Sequence, residues 1–229
     1  MIGLGGWSRF NIWEHSSIVR ELYKRRVELQ ADEMTCAAQA ADLLADLATA
    51  GDDLLDVGCG SGYFYHSILA RGIAVEYWGL DCCAEFITMG RKILPSYGLP
   101  PDHLLVGRLE DLDAEVDHIL CMNVLSNLDN FSRPLERLLR SARKSVILRE
   151  SVRDEASYSY VLDNYLDAPE PLRVHVNTYD RKDIAALAAE LGFSAQFITD
   201  RRTGGEPELV IDHPHHWCFV VMQHFNKLV

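Results

Sequence analysis

Asp56, Gly58, Gly60 and Gly62, each two residues from the next, are the part of this chain whose types and spacing most directly permit chemistry. Glycine serves where a backbone must turn tightly, or where a ligand must lie against it without a Cβ in the way. A short apolar run, Asp53 to Val57, feeds these glycines, and a helical pattern from Tyr63 to Ala70 follows. The free N–H groups and the positive dipole end of that helix then face whatever the loop holds. Such a loop suits a nucleotide-like ligand, and two details narrow the class. A dinucleotide fingerprint has glycine at its sixth position, to seat a pyrophosphate and pack the helix closely; here that position is Tyr63. A carboxylate at Asp56 would repel a pyrophosphate but suits a ligand that carries an ammonium and a sulfonium.

The run Leu55-Asp56-Val57-Gly58-Cys59-Gly60-Ser61-Gly62 resembles the first motif, D-x-G-x-G-x-G, of the class I S-adenosylmethionine-dependent methyltransferases. The resemblance implies S-adenosylmethionine as cofactor, S-adenosylhomocysteine as product, and Asp56, Gly58, Cys59, Gly60 and Gly62 as binding residues. Asp81 closes the second predicted strand in Gly79-Leu80-Asp81, where the family places an acid for the two ribose hydroxyls; Cys82 beside it is counted with the cofactor contacts. Nicotinamide dehydrogenases use the same carboxylate, so Asp81 speaks for the fold more than for the cofactor. In Leu109-Glu110-Asp111-Leu112 the resemblance implies an adenine contact. The family's commonest acidic position falls on Arg108, so Glu110, or else Asp111, must substitute, with Leu109 alongside.

Asp117 to Leu125 resembles the family's fourth-strand motif, whose end lines the place where sulfonium and acceptor meet. Cys121, Met122 and Asn123 are the candidates there; Asn123 is assigned to position an acceptor, and Asp117 to structure. Among Trp13, Tyr23 and Arg26, which precede the sheet, Tyr23 is the aromatic expected at the methionine end. Asn123-Val124-Leu125-Ser126 stands where amino-group methylases of bases and glutamine carry an N-P-P-Y-like sequence, which argues against that substrate class.

Methyl transfer is an in-line displacement at an already activated carbon, so orientation and exclusion of water dominate. An oxygen nucleophile also gains from a general base, most often His. His175 is the leading candidate, with Asn123 as its catalytic companion; His213, His215 and His216 are alternatives. Tyr158, Tyr160, Asn164, Tyr165, Asn177 and Tyr179 offer walls and polar handles for an acceptor. His213, His215, His216 and Cys218 do not match a zinc framework, and no metal is expected. Arg201 to Gly205 reads as a solvated turn.

These residues require a scaffold. Helical periodicity marks 16–31, with Ile18, Val19, Leu22, Tyr23 and Val27 on one face, and an Ala- and Leu-rich stretch follows at 32–50. Strands are predicted at 53–57, 75–80, 103–106, 118–122, 145–149, 195–199 and 217–224. Helices are predicted at 63–70, 83–94, from an N-cap at Ser132 to Arg143, and from a cap at Asp180 to Leu191, stopped by Gly192. The alternation demands parallel strands with right-handed crossovers: an α/β, Rossmann-like doubly wound sheet, mostly parallel, with an antiparallel last strand. A single domain, 1–229, is expected. It comprises a helical N-terminal cap at 1–50, a cofactor-binding half at 51–151, an acceptor-side insertion at 152–178 containing Pro169 and Pro171, and a closing helix and strands at 179–229.

Composition bounds the function. The 229 residues carry a net charge of −12 with scattered basic residues, which disfavours nucleic acid and anionic membrane surfaces. No apolar run reaches the length of a membrane span, and Met1 to Phe10 does not read as a secretory signal. Six cysteines without a C-x-x-C pair read as reduced, buried thiols of a cytoplasmic protein. The expectation is a monomeric or homodimeric methyltransferase acting on a small molecule, at a hydroxyl oxygen. A non-catalytic module of the same fold and a nicotinamide-dependent oxidoreductase are the alternatives.

Overall fold

The computed structural model describes residues 12–167 and 172–225. The Gly-rich start, Met1 to Phe10, and Pro169 and Pro171 lie outside the described residues. The elements, in order, are α1 (Ser17–Val27), α2 (Thr35–Ala45), β1 (Asp53–Val57), α3 (Phe64–Arg71), β2 (Glu76–Asp81), α4 (Ala84–Ile93), β3 (Leu104–Val106), β4 (Val116–Met122), α5 (Ser132–Ser141) and β5 (Ala142–Arg153). Then come β6 (Tyr160–Asp163), β7 (Leu172–His175), β8 (Tyr179–Asp180), α6 (Arg181–Glu190), β9 (Phe193–Thr199), β10 (Glu208–Val210), β11 (His213–His215) and β12 (Trp217–His224).

The main sheet runs β3-β2-β1-β4-β5-β12-β9. Strands β3, β2, β1, β4 and β5 pair in parallel, and β12 is antiparallel to both its neighbours. Strand alternation divides the core into two layers. Leu55, Val57, Ile119, Cys121, Val146 and Leu148 face one side, where α5 and α6 bring Leu135, Leu138, Ile184 and Ala188. Leu54, Leu120 and Ile147 face the other, against Ala37, Ala40 and Leu44 of α2, Phe64 and Ile68 of α3, and Ile87 of α4. Chain order reverses between β1 and β4, so a crevice opens beyond their carboxyl ends.

Local signals hold at Asp180, whose side chain accepts from the Lys182 N–H at 2.7 Å, and at Gly192, where φ is +85° after α6. Ser132 is not a cap. Asn130 Oδ1 instead accepts from the Arg133 N–H at 3.2 Å, and α5 ends at Ser141, so β5 starts three residues early and continues to Arg153. Helix α1 buries only Val27 and leaves Ile18 72% exposed, because it packs on α4 and the glycine loop through one narrow side. Two antiparallel hairpins, β6–β7 and β10–β11, occupy stretches without strong period-two alternation in the sequence. The first hairpin packs with the N-terminal segment: Val174 and Val176 surround Ile12, Asp167 N–H donates to His15 O at 2.7 Å, and Ser17 N–H donates to Asp167 Oδ2 at 2.7 Å. No helix among the described residues is long and apolar enough to cross a membrane.

Candidate active site

A cleft of about 610 Å³ lies over the carboxyl ends of β1, β2 and β4, within the size range of small-ligand sites. Its floor is the glycine loop. Gly58, Gly60 and Gly62 have φ of +76°, +58° and +75°, a region costly for any residue with a Cβ. Space reinforces the requirement, since a Cβ on Gly58 would overlap Val124 and one on Gly60 would overlap the Tyr23 ring.

Asp81 ties this loop to the next element. Its Oδ2 accepts from the Gly60 N–H at 2.7 Å and its Oδ1 from the Cys83 N–H at 2.8 Å. Each oxygen retains a lone pair for a ligand hydroxyl. Burial raises the Asp81 carboxyl against the pull of those two N–H groups. Asp56 is 3% exposed and accepts from the Tyr77 hydroxyl at 2.8 Å. Burial pushes it up to about 7; the Tyr77 bond opposes the shift and the Asp81 charge adds to it. Among the described residues neither carboxylate has a cationic partner, so the floor carries negative potential awaiting a positive ligand group.

Aromatic rings close one side. Tyr23 lies 4.7 Å from Phe86 and 5.5 Å from Tyr63, ring centre to centre, and the Arg26 guanidinium sits over Tyr23 and Tyr63 at 5.6 and 5.3 Å. The Ser61 hydroxyl donates to Tyr23 O at 3.1 Å, fixing α1 on the loop. Burial holds the Tyr23 phenol well above its ordinary value.

The cleft brings together most of the sequence candidates: Tyr23, Asp56, Gly58, Cys59, Asp81 and Cys82 at one end, Leu109 and Glu110 beside them, Asn123 and His175 at the other. Several assignments change. Cys121 is fully buried in the core, because strand alternation turns it to the α5–α6 side and gives the cleft Met122 instead. Asp111 is exposed outside the cleft, past the turn that presents Leu109 and Glu110. The Cys59 thiol packs toward Gly79 and Leu104, so the loop offers its backbone there. Tyr179 and Asn177 are buried and brace the loop after β4: the Tyr179 hydroxyl donates to Leu125 O, and Asn177 Nδ2 donates to Leu128 O at 2.7 Å. Tyr158 lies tilted against Tyr179, 6.0 Å between ring centres, outside the cleft, and Asn164 and Tyr165 are also exposed outside it. His213, His215 and His216 lie away from it, and Arg201 and Arg202 are paired with Asp42 and Glu208.

Sequence reasoning missed Arg149 and Glu150. Glu150, wholly buried, accepts from the N–H groups of Val124 and Leu125 at 2.8 Å and of Ser126 at 3.0 Å, holding the loop that carries Asn123. Arg149, 1% exposed, pairs with buried Asp200 at 2.6 Å and lies 4.4 Å from the Trp217 ring centre. The available signal was two charges directly after the apolar run Val146-Ile147-Leu148. Trp13, Arg108, Tyr160 and Arg173 also line the cleft.

The sheet order, the glycine cradle at the reversal point and the strand-end acid define the Rossmann-like fold of class I S-adenosylmethionine-dependent methyltransferases. Residues 55–147 match the family model described as "Methyltransferase domain". An 83-residue stretch is 34% identical to the ubiquinone biosynthesis O-methyltransferase of Chromobacterium violaceum and covers 34% of each chain, so the match spans about a third of that relative's length. Among solved structures, magnesium protoporphyrin IX methyltransferase from Synechocystis with bound S-adenosylmethionine superposes with a TM-score of 0.62 at 15% identity, covering 98% of this chain and 99% of that one. An S-adenosylmethionine-dependent methyltransferase from Clostridium acetobutylicum gives 0.60 at 13% identity, with 90% and 97% covered.

Proposed function

We propose that this protein transfers a methyl group from S-adenosylmethionine to a hydroxyl oxygen of a small-molecule acceptor. One observation carries the reading. One cleft is lined both by a glycine cradle flanked by two buried carboxylates without a cationic partner among the described residues and by Trp13, Met122, Tyr160 and His175, which form the acceptor compartment of this reading. The cradle fits the cofactor, since its three left-handed glycines turn the loop tightly at the end of β1 and Asp81 keeps lone pairs for a ribose. Bound there, the cofactor supplies an activated methyl group. Asp56 offers a carboxylate to an ammonium, and Glu110, beside Leu109 at the cleft wall, offers an acceptor to an adenine amino group. The β6–β7 hairpin and the N-terminal segment, packed through Ile12 and Val174, exclude water from the acceptor compartment. His175, its ring 4.5 Å from Tyr160, takes the hydroxyl proton.

Titration calorimetry with S-adenosylhomocysteine and with NAD tests the cofactor. Micromolar binding of the first and none of the second is expected; the reverse would establish the oxidoreductase alternative. His175→Ala should leave S-adenosylhomocysteine affinity unchanged and lower kcat by about 100-fold or more, the usual contribution of a general base. Undiminished turnover would remove His175 from the mechanism.

A further inference from the structure

Asn123 stands at the end of β4 with φ of +59°, a conformation that Asn tolerates better than most residues. Three contacts hold it. Its N–H donates to Arg149 O at 2.8 Å, its carbonyl accepts from Asn127 Nδ2 at 3.1 Å, and its side-chain Oδ1 accepts from Arg149 Nη1 at 2.6 Å. A guanidinium only donates, so the amide atom facing it must be the oxygen. The NH2 group is therefore on the other side of the amide, and among the described residues it has no protein hydrogen-bond partner, while Asn123 itself lines the cleft. Arg149 cannot swing away to release the amide. Its Nε is bonded to Asp200 at 2.6 Å, its guanidinium lies on the Trp217 ring, and both Arg149 and Asp200 are buried.

We propose that Arg149 is a positioning residue that holds Asn123 as an obligate hydrogen-bond donor, so that the methyl acceptor is recognised through an oxygen that accepts a hydrogen bond beside the methylated atom. This rests on the methyltransferase reading and adds the polarity of the acceptor compartment. A neighbouring group that can only donate, such as an ammonium, would leave the Asn123 NH2 unpaired and be rejected.

Catechol is a suitable probe, because one oxygen can occupy the methylated position while its neighbour accepts from Asn123. Protein carrying 15N-asparagine is saturated with S-adenosylhomocysteine and titrated with catechol. The Asn123 side-chain resonances, assigned by their loss in Asn123→Asp, should move downfield. Asn123→Asp keeps an oxygen for Arg149, with a charge-assisted bond, but has no donor. It should retain the melting temperature and, within about twofold, the S-adenosylhomocysteine affinity, while catechol binds at least about tenfold more weakly. Arg149→Lys keeps a cation for Asp200 without the two-armed fork. It should shift the Asn123 resonances before catechol is added and weaken catechol binding although Asn123 is intact. Should Arg149→Lys fail to fold, Asn123→Asp decides alone. Equal catechol affinity in Asn123→Asp, stationary resonances on saturation, or no catechol binding by protein that binds S-adenosylhomocysteine would each overturn the proposal. Failure to bind S-adenosylhomocysteine would instead overturn the methyltransferase reading.

Discussion

The two ends of the parallel strands treat aspartate in opposite ways. At the amino ends, Asp52, Asp53 and Asp117 meet a matching set of bases. His118 lies 2.9 Å from Asp52, Lys144 pairs with Asp52, and Arg143 reaches Asp53 at 2.9 Å and Asp117 at 3.1 Å. Burial works to raise Asp52, but bonds from Lys144, Thr49 and His118 outweigh it and hold the carboxyl well below its ordinary value. Burial likewise works to raise Asp117, and the bond and charge of Arg143 overcome it and hold the carboxyl below its ordinary value. At the carboxyl ends, Asp56 and Asp81 are buried, where Asp53 and Asp117 are only partly so, and a phenol and backbone N–H groups are their partners; both are raised. A charge that helps hold the fold is paired within it; a charge kept buried without a counter-ion costs stability and marks a place for a ligand.

Four experiments press on that contrast. Gly60→Arg has the largest expected effect: its Cβ overlaps Tyr23 and its side chain fills the cradle, so S-adenosylhomocysteine binding should fall below calorimetric detection. Asp81→Ala should weaken the same binding by roughly 10- to 100-fold, the range for lost charge-assisted hydrogen bonds. Unchanged affinity in both variants would remove the site from this end of the sheet.

Asp56→Asn sharpens the comparison through pH. The unfolded carboxyl ionises near about 4 and the folded one at about 7, so its cost to stability is absent below the first value and complete above the second. The variant should be more stable than the parent by on the order of 4 kcal/mol at pH 8 and no more stable at pH 4, read by urea melts. In the parent, S-adenosylhomocysteine affinity should fall as pH drops through about 7, as Asp56 is protonated, and the variant should lose that dependence. Asp52→Asn is the mirror case, with the smallest effect on the site. Its pairing stabilises above the unfolded value of about 4 and is lost as pH falls toward the lowered folded value. It should cost roughly 1–3 kcal/mol at pH 7 while binding stays within about twofold. A binding loss there as large as that of Asp81→Ala would erase the distinction between the ends.

Much of the cofactor end was legible because its signals are local. A strand of Asp53 to Val57 running into three alternating glycines can be read without knowing any neighbour, and β1 spans the predicted residues. Asp81 needed only its place at a strand end. The acceptor end resisted reading. Choosing among Cys121, Met122 and Asn123 required knowing which face of β4 the sheet buries, and its end-of-strand turn made simple alternation insufficient. Asp111 and Glu110 differ only in how a short turn presents them to the cleft. The β6–β7 hairpin is half exposed and short, so its alternation is too weak to separate from loop.

The chain alone determined where the backbone turns, which runs form the strands of the parallel sheet, and that a carboxylate precedes the glycines, since these follow from steric limits and periodicity within a few residues. Only the tertiary structure decided which charges meet. Arg149, Asn123 and Asp200 are joined across 26 and 51 residues of sequence. Asp53 and Asp56 occupy one strand, yet among the described residues only Asp53 has a cation within reach. Pairing at that range is set by how strands and loops stack, and the energy of a buried charge depends on what lies opposite it.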